Sequence, residues 1–145
     1  VGIADSVANL VLAGIPVLGH IGLLPQRIND LGRYRRFGGN ASEHDRLIAD
    51  ARALEEAGAF AIVAEMIEES LAETIRDTIS IPLIGIGSGD GCDGQIRVVT
   101  DLLGLGHGKP PSFAKVYADL GQATREALAA YADDVRSCGP ADPIG

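Results

Sequence analysis

The amino-acid sequence predicts an α/β fold built on a parallel β-sheet, on three observations. Three short runs are almost wholly apolar: IPVLGH at 15–20, FAIVAE at 60–65 and IPLIGI at 81–86. Each is nearly continuous rather than alternating, as expected of strands buried on both faces. Helical patterns separate the runs, and glycines crowd their ends, which suggests tight loops there.

The elements follow in order. Residues 5–13 form a short helix that stops at Gly14, and the first strand comes next. Ser42-Glu-His-Asp45 resembles a capping box, and Leu47, Ile48, Ala51 and Leu54 then recur on one face of a helix ending at Gly58. The second strand follows. A helix over 70–78 leads to the third strand. Another helix is expected over 95–103, with a weak signal for a fourth strand near 103–105. The last helix spans about 112–135, with Phe113, Tyr117, Leu120, Leu128, Tyr131 and Val135 as its buried stripe. Residues 1–137 form one domain, and 138–145, rich in Gly and Pro, trail off as a tail.

Alternation of this kind implies right-handed crossovers and a parallel sheet. Three or four strands cannot close a barrel of eight, which takes about 250 residues. The sheet is therefore either small and open or part of a barrel completed by other residues.

Composition narrows the function. With 46% hydrophobic residues in 145, the chain can bury a core. Only 4% are aromatic and none is Trp, so that core is aliphatic. A net charge of −8 repels phosphate backbones and disfavours nucleic-acid partners. No apolar run approaches the ~20 residues that cross a bilayer, and no secretory leader is visible. Cys92 and Cys138 match no metal spacing. A reduced, cytoplasmic protein is expected.

In parallel α/β folds the active site gathers at the C-terminal ends of the strands. Here those ends carry His20, Glu65 and the glycine-rich stretch 85–94, which includes Ser88. A carboxylate closing an apolar run is partly desolvated, which raises its pKa and suits proton transfer. Glu65 is the catalytic candidate on that ground; the alternative is a carboxylate paired with an Arg or capping the next helix. His20 can donate to an oxyanion or act as acid/base, or it can be structural, bonded to backbone. The glycines let backbone approach a ligand or simply allow a sharp turn; Ser88, among them, is a candidate substrate contact. The stretch is neither G-x-G-x-x-G nor a P-loop. Arg33, Tyr34, Arg35 and Arg36 form a basic cluster suited to an anion, a solvated loop or a subunit contact. His44 and His107 receive no role, and Glu68, Glu69 and Glu73 suit the start of a helix.

These same residues carry a family resemblance. GIPVLGHIG at 14–22 with Pro25-Gln26 resembles the signature GIPVMGHIGLTPQ of ketopantoate hydroxymethyltransferases. ALEEAGAFAIV at 53–63, followed by Glu65, is similar to that family's strand with the active-site glutamate. IPLIGIGSG at 81–89, Asp93-Gly-Gln95 and Asp101-Leu-Leu-Gly104 resemble its IPVIGIGAG…DGQ…HDMLG block. FAKVYADL at 113–120 follows the expected C-terminal helix. The resemblance covers nearly the whole chain.

It implies the C-terminal, parallel-stranded half of a TIM-type (βα)₈ barrel, completed by an N-terminal half or by another chain, in a homo-oligomer. It implies transfer of a hydroxymethyl group from 5,10-methylenetetrahydrofolate to 3-methyl-2-oxobutanoate, giving 2-dehydropantoate for pantothenate synthesis. Mg²⁺ would chelate the 2-oxo acid. Glu65 would be the acid/base near C3, and His20 would lie close to the oxo acid. The family's metal carboxylates and substrate lysine belong to its N-terminal half, so no residue here takes those roles. Two departures stand out: the family's E-C-V-P is Glu65-Met-Ile-Glu68, and the His of HDMLG is Thr100. They leave room for a related 2-oxo-acid lyase, and the absent ligands for a non-catalytic half-barrel that completes a partner.

Overall fold

The computed structural model describes residues 3–27, 35–106, 108 and 110–138. Arg33, Tyr34, His107 and all of the expected tail except Cys138 lie outside them. The chain divides into two compact units, 1–96 and 97–145.

In the first unit four parallel strands lie in chain order: β1 (Leu18–Gly22), β2 (Ala61–Glu65), β3 (Leu83–Ile86) and β4 (Gly94–Gln95). They are joined through α1 (Ala4–Leu12), a 3₁₀ turn at Pro25–Arg27, α2 (Ala41–Glu56) and α3 (Glu69–Arg76). An α/β fold with a parallel sheet is therefore observed. The first and third strands begin three and two residues later than the apolar runs suggest. Each run carries a proline, Pro16 and Pro82, whose missing N–H cannot join a ladder.

Asn40 caps α2, its side chain accepting from Glu43 N at 3.0 Å, two residues before the expected cap at Ser42. The helix then buries Leu47, Ala51 and Leu54, and α3 buries Leu71, Ala72 and Ile75. These side chains share one core cluster with Ile21, Ile62, Ala64, Ile67 and Leu83. By strand alternation Ile62 and Ala64 face that core, while Ala61, Val63 and Glu65 face the opposite side. Burying Ile62 or Leu83 completely contributes about 1.5–3 kcal/mol each.

The fourth strand lies at Gly94–Gln95, not near 103–105. Gly85 makes room for it: a Cβ there would sit 2.9 Å from Cys92 Sγ and 3.1 Å from Gln95 Nε2.

The second unit holds α4 (Val99–Leu102) and α5 (Leu120–Ser137). Residues expected in the helix from 112 are not helical; Asp119 caps α5 by accepting from Gln122 N at 3.0 Å. Backbone bonds from Tyr117, Leu120 and Gly121 to the carbonyls of Leu102, Leu103 and Gly104 tie the segment before α5 to the turn after α4. The expected stripe is not buried. Leu128 and Tyr131 are 62% and 68% exposed, Tyr117, Leu120 and Val135 are also exposed, and Phe113 is half-buried. Amphipathic spacing marked a helix here, but it begins at Leu120 rather than near 112, and the expected stripe is exposed.

Among the described residues, no helix is long and apolar enough to cross a membrane.

Candidate active site

Parallel pairing brings the expected strand ends together. In the β1–β2 register His20 lies opposite Val63 and Gly22 opposite Glu65; in the β2–β3 register Glu65 lies opposite Ile86. His20 Nε2 is 3.2 Å from Glu65 Oε2. The carboxylate is nearly covered, at 12% exposed, whereas the imidazole is 35% exposed.

Burial pushes the Glu65 carboxyl above its ordinary range. Burial also lowers the His20 imidazole, offset in part by a hydrogen bond to the Leu23 backbone. Both effects favour uncharged groups. At 3.2 Å the two side chains are within hydrogen-bond distance. A carboxyl whose pKa is raised by burial, within hydrogen-bond reach of an imidazole, is suited to moving a proton.

The backbone around Glu65 is held from three directions. Leu23 N donates to Glu65 O at 2.9 Å, at the end of β1. Met66 N donates to Ile86 O at 2.9 Å, from β3. Phe37 N donates to Met66 O at 2.7 Å, and Glu68 N donates to Phe37 O at 2.9 Å. Met66 itself is left-handed, with φ 53, the sole non-glycine residue with positive φ among those described. Gly22 completes the arrangement at φ 90, where an added Cβ would overlap the Glu65 carbonyl oxygen.

Ser88 is fully buried among these groups. Its hydroxyl donates to Ala64 O at 2.8 Å and accepts from Ile67 N at 3.0 Å. The hydroxyl expected to meet substrate is thus engaged within the fold, on both sides of Glu65-Met66. The glycine-rich spacing marked its position, but not these partners, which lie more than twenty residues away.

Part of the basic cluster converges on the same loop. Arg35 pairs with Glu43 at 2.6 Å, holding that carboxyl below its ordinary range, and stacks 4.0 Å over Phe37. Arg36 donates to Ile67 O at 3.3 Å. Phe37 was not singled out by sequence; a lone aromatic in a polar loop carries no periodic signal. Elsewhere, near β3, Asp93 accepts from Leu83 N at 2.8 Å, and Arg76, paired with Asp77, donates to Gly91 O at 3.0 Å.

Comparison with known proteins places the chain in a family. The profile described as ketopantoate hydroxymethyltransferase matches residues 1–139. The 3-methyl-2-oxobutanoate hydroxymethyltransferase of Paracoccus denitrificans is 52% identical over 134 residues, 92% of this chain and 49% of that protein. Those of Pyrobaculum islandicum and Chloroflexus aurantiacus are 50% and 53% identical, over 92% and 94% of this chain and 51% and 48% of theirs. The chain spans about half the length of these curated relatives. On a match that runs nearly end to end, at about half identity, the chain belongs to the ketopantoate hydroxymethyltransferase family.

Proposed function

We propose that this chain supplies the acid/base half of a hydroxymethyltransferase site in pantothenate synthesis, acting in the cytoplasm. The observation that carries the reading is the Glu65–His20 hydrogen bond at the C-terminal ends of two parallel strands. In the reaction, the Glu65 carboxylate takes the proton from C3 of 3-methyl-2-oxobutanoate. The resulting carbon nucleophile bonds to the methylene carbon of 5,10-methylenetetrahydrofolate as its two C–N bonds break; water supplies the hydroxyl oxygen, and the folate nitrogens take up protons and leave as tetrahydrofolate. Neutral His20 donates a hydrogen bond to the oxo acid or to Glu65, limiting the charge that builds on either.

The strand ends of this chain do not make a Mg²⁺ site of their own. That hard cation takes about six oxygen donors, and the pair offers one carboxylate already bonded to an imidazole. Among the described residues no group of three or more His, Cys, Asp or Glu could hold a metal ion. Metal ligands would come from the rest of the protein, which this chain would join as one half of a (βα)₈ barrel in a homo-oligomer.

The test is turnover of 3-methyl-2-oxobutanoate by the full-length protein with methylenetetrahydrofolate and Mg²⁺. Formation of 2-dehydropantoate is expected; normal substrate binding without product overturns the reading. The left-handed Met66 beside Glu65, where the family has E-C-V-P, favours one alternative, a lyase acting on another 2-oxo acid. A panel of 2-oxo acids with and without folate separates the two, because a strict folate requirement excludes the lyase.

A further inference from the structure

The loop after Glu65 adopts a conformation that its sequence does not favour. A left-handed methionine costs roughly 1 kcal/mol or more relative to glycine, and it persists only where its surroundings impose it. Gly89 and Gly87 close by are also left-handed, but they adopt that conformation freely. The imposing groups around Met66 are identifiable. Most are backbone groups: the Ile86 carbonyl on β3 and the amides of Leu23 and Phe37. One is a side chain: Ser88, 0% exposed, spans from Ala64 O to Ile67 N, the residues that bracket Glu65-Met66.

We propose that Ser88 is a positioning residue for Glu65, its hydroxyl holding the left-handed turn at Met66 that keeps the carboxylate on His20. The geometry carries it. The hydroxyl uses its proton on one side of the turn and a lone pair on the other, so it fixes the distance between them. The inference rests on Glu65 as the proton-transfer group, but it concerns where the carboxyl sits and can be read without turnover.

The experiment uses the full-length protein with S88A, M66G and the double variant S88A/M66G. Two quantities are measured by NMR: exchange of the Ile67 amide and titration of the Glu65 carboxyl. In S88A the Ile67 amide loses its acceptor and exchanges at least about tenfold faster. The Glu65 titration moves down toward that of an ordinary carboxylate, as the side chain leaves its covered position beside His20. In the double variant the glycine adopts the left-handed turn unaided, and the Glu65 titration returns to that of the parent while Ile67 stays fast. If turnover is present, kcat falls about tenfold in S88A with KM within about threefold, and M66G restores it.

A parent-like Glu65 titration in folded S88A overturns the proposal, even with faster Ile67 exchange. So does a shifted titration that M66G does not restore. Should S88A fail to fold, S88C takes its place. Its thiol is a longer and weaker bridge, so a smaller shift in the same direction is expected, and an unchanged titration overturns the proposal. Absence of turnover with the expected titrations instead rejects the hydroxymethyltransferase reading and leaves the positioning role intact.

Discussion

The carboxylate of Glu65 meets His20, not the residue opposite it in the sheet. Its register partner on β1 is Gly22, and His20 lies two residues earlier, opposite Val63. Gly22 has no side chain to stand in the way, so the carboxylate reaches back along the strand. The contact depends on three features at once: a parallel register, a glycine at its end and a histidine one pleat away.

Removing the acid while keeping its shape separates chemistry from stability. Glu65 has its folded pKa raised by burial. Its contribution to stability is therefore full below the unfolded value near 4.5 and is lost as pH rises through the folded value. E65Q carries no charge to bury. It should match the parent in stability near pH 4 and exceed it at pH 7. Its kcat should fall by roughly 10²–10⁴, as for loss of a general base. Urea midpoints across pH 4–8, beside turnover, check both; a parent that is more stable than E65Q at pH 7 contradicts the burial argument.

His20 has the opposite linkage. Its imidazole is lowered by burial, so its contribution to stability is present above the ordinary 6.5 and is lost as pH falls through the folded value. H20Q should flatten the stability profile below pH 6.5 and leave it unchanged above. A glutamine still donates a hydrogen bond, but on a different reach. Turnover should fall on the order of 10²-fold, as when one oxyanion donor is lost. An acid limb that persists unchanged in H20Q would assign it to other groups.

The position opposite Glu65 should tolerate no side chain. In G22A the new methyl meets the Glu65 carbonyl oxygen and then Ile67 Cγ1 at 2.9 Å, at a φ of 90 that alanine disfavours. We expect a loss of about 2 kcal/mol or more in unfolding free energy, since strain and overlap add. The control is G39A, where an added Cβ meets nothing within 4 Å and φ is not positive; it should change stability by less than about 1 kcal/mol. Thermal melts of the two variants decide it.

Much of this architecture was legible in the residues, and the gaps have physical causes. The β2 strand is almost pure aliphatic and ends in Glu65, so its range was read to within one residue. The β4 strand has two residues and exists because Gly85 and Gly94 allow close approach, which no periodicity encodes. The Asn40 cap obeyed a rule visible in the sequence, Asn40 with Glu43 three residues on, but Ser42 offered a competing start. His20 and Glu65 were each legible as strand ends. Their contact was not, because register is a long-range property, and the same holds for Ser88 and Ile67. The helix α5 was legible as amphipathic, but its start was not, because the residues from 112 to 119 carry helix-compatible apolar spacing without being helical.

The exposed stripe of α5 leads to the last prediction. Leu128, Tyr131 and Val135 recur at i, i+3 and i+7 on α5 and are all exposed. In the other unit β1 is an edge strand whose outer side has no strand partner among the described residues, with Leu18 and Ile15 about half exposed. Parallel sheets are ordinarily covered on both faces, and an open apolar edge invites pairing. The 145-residue chain expressed alone should therefore self-associate, and native mass spectrometry should show little monomer. Co-expression with the half of the protein that this chain lacks relative to its relatives should yield one defined assembly. Each large apolar side chain covered in it contributes about 1.5–3 kcal/mol. The double variant L128S/Y131S distinguishes the two surfaces: it should shift the lone chain toward monomer if α5 makes the contact and leave it associated if the β1 edge does. A well-folded, stable monomer of the unaltered chain would mean that neither surface needs a partner, and the half-barrel reading would fall with it.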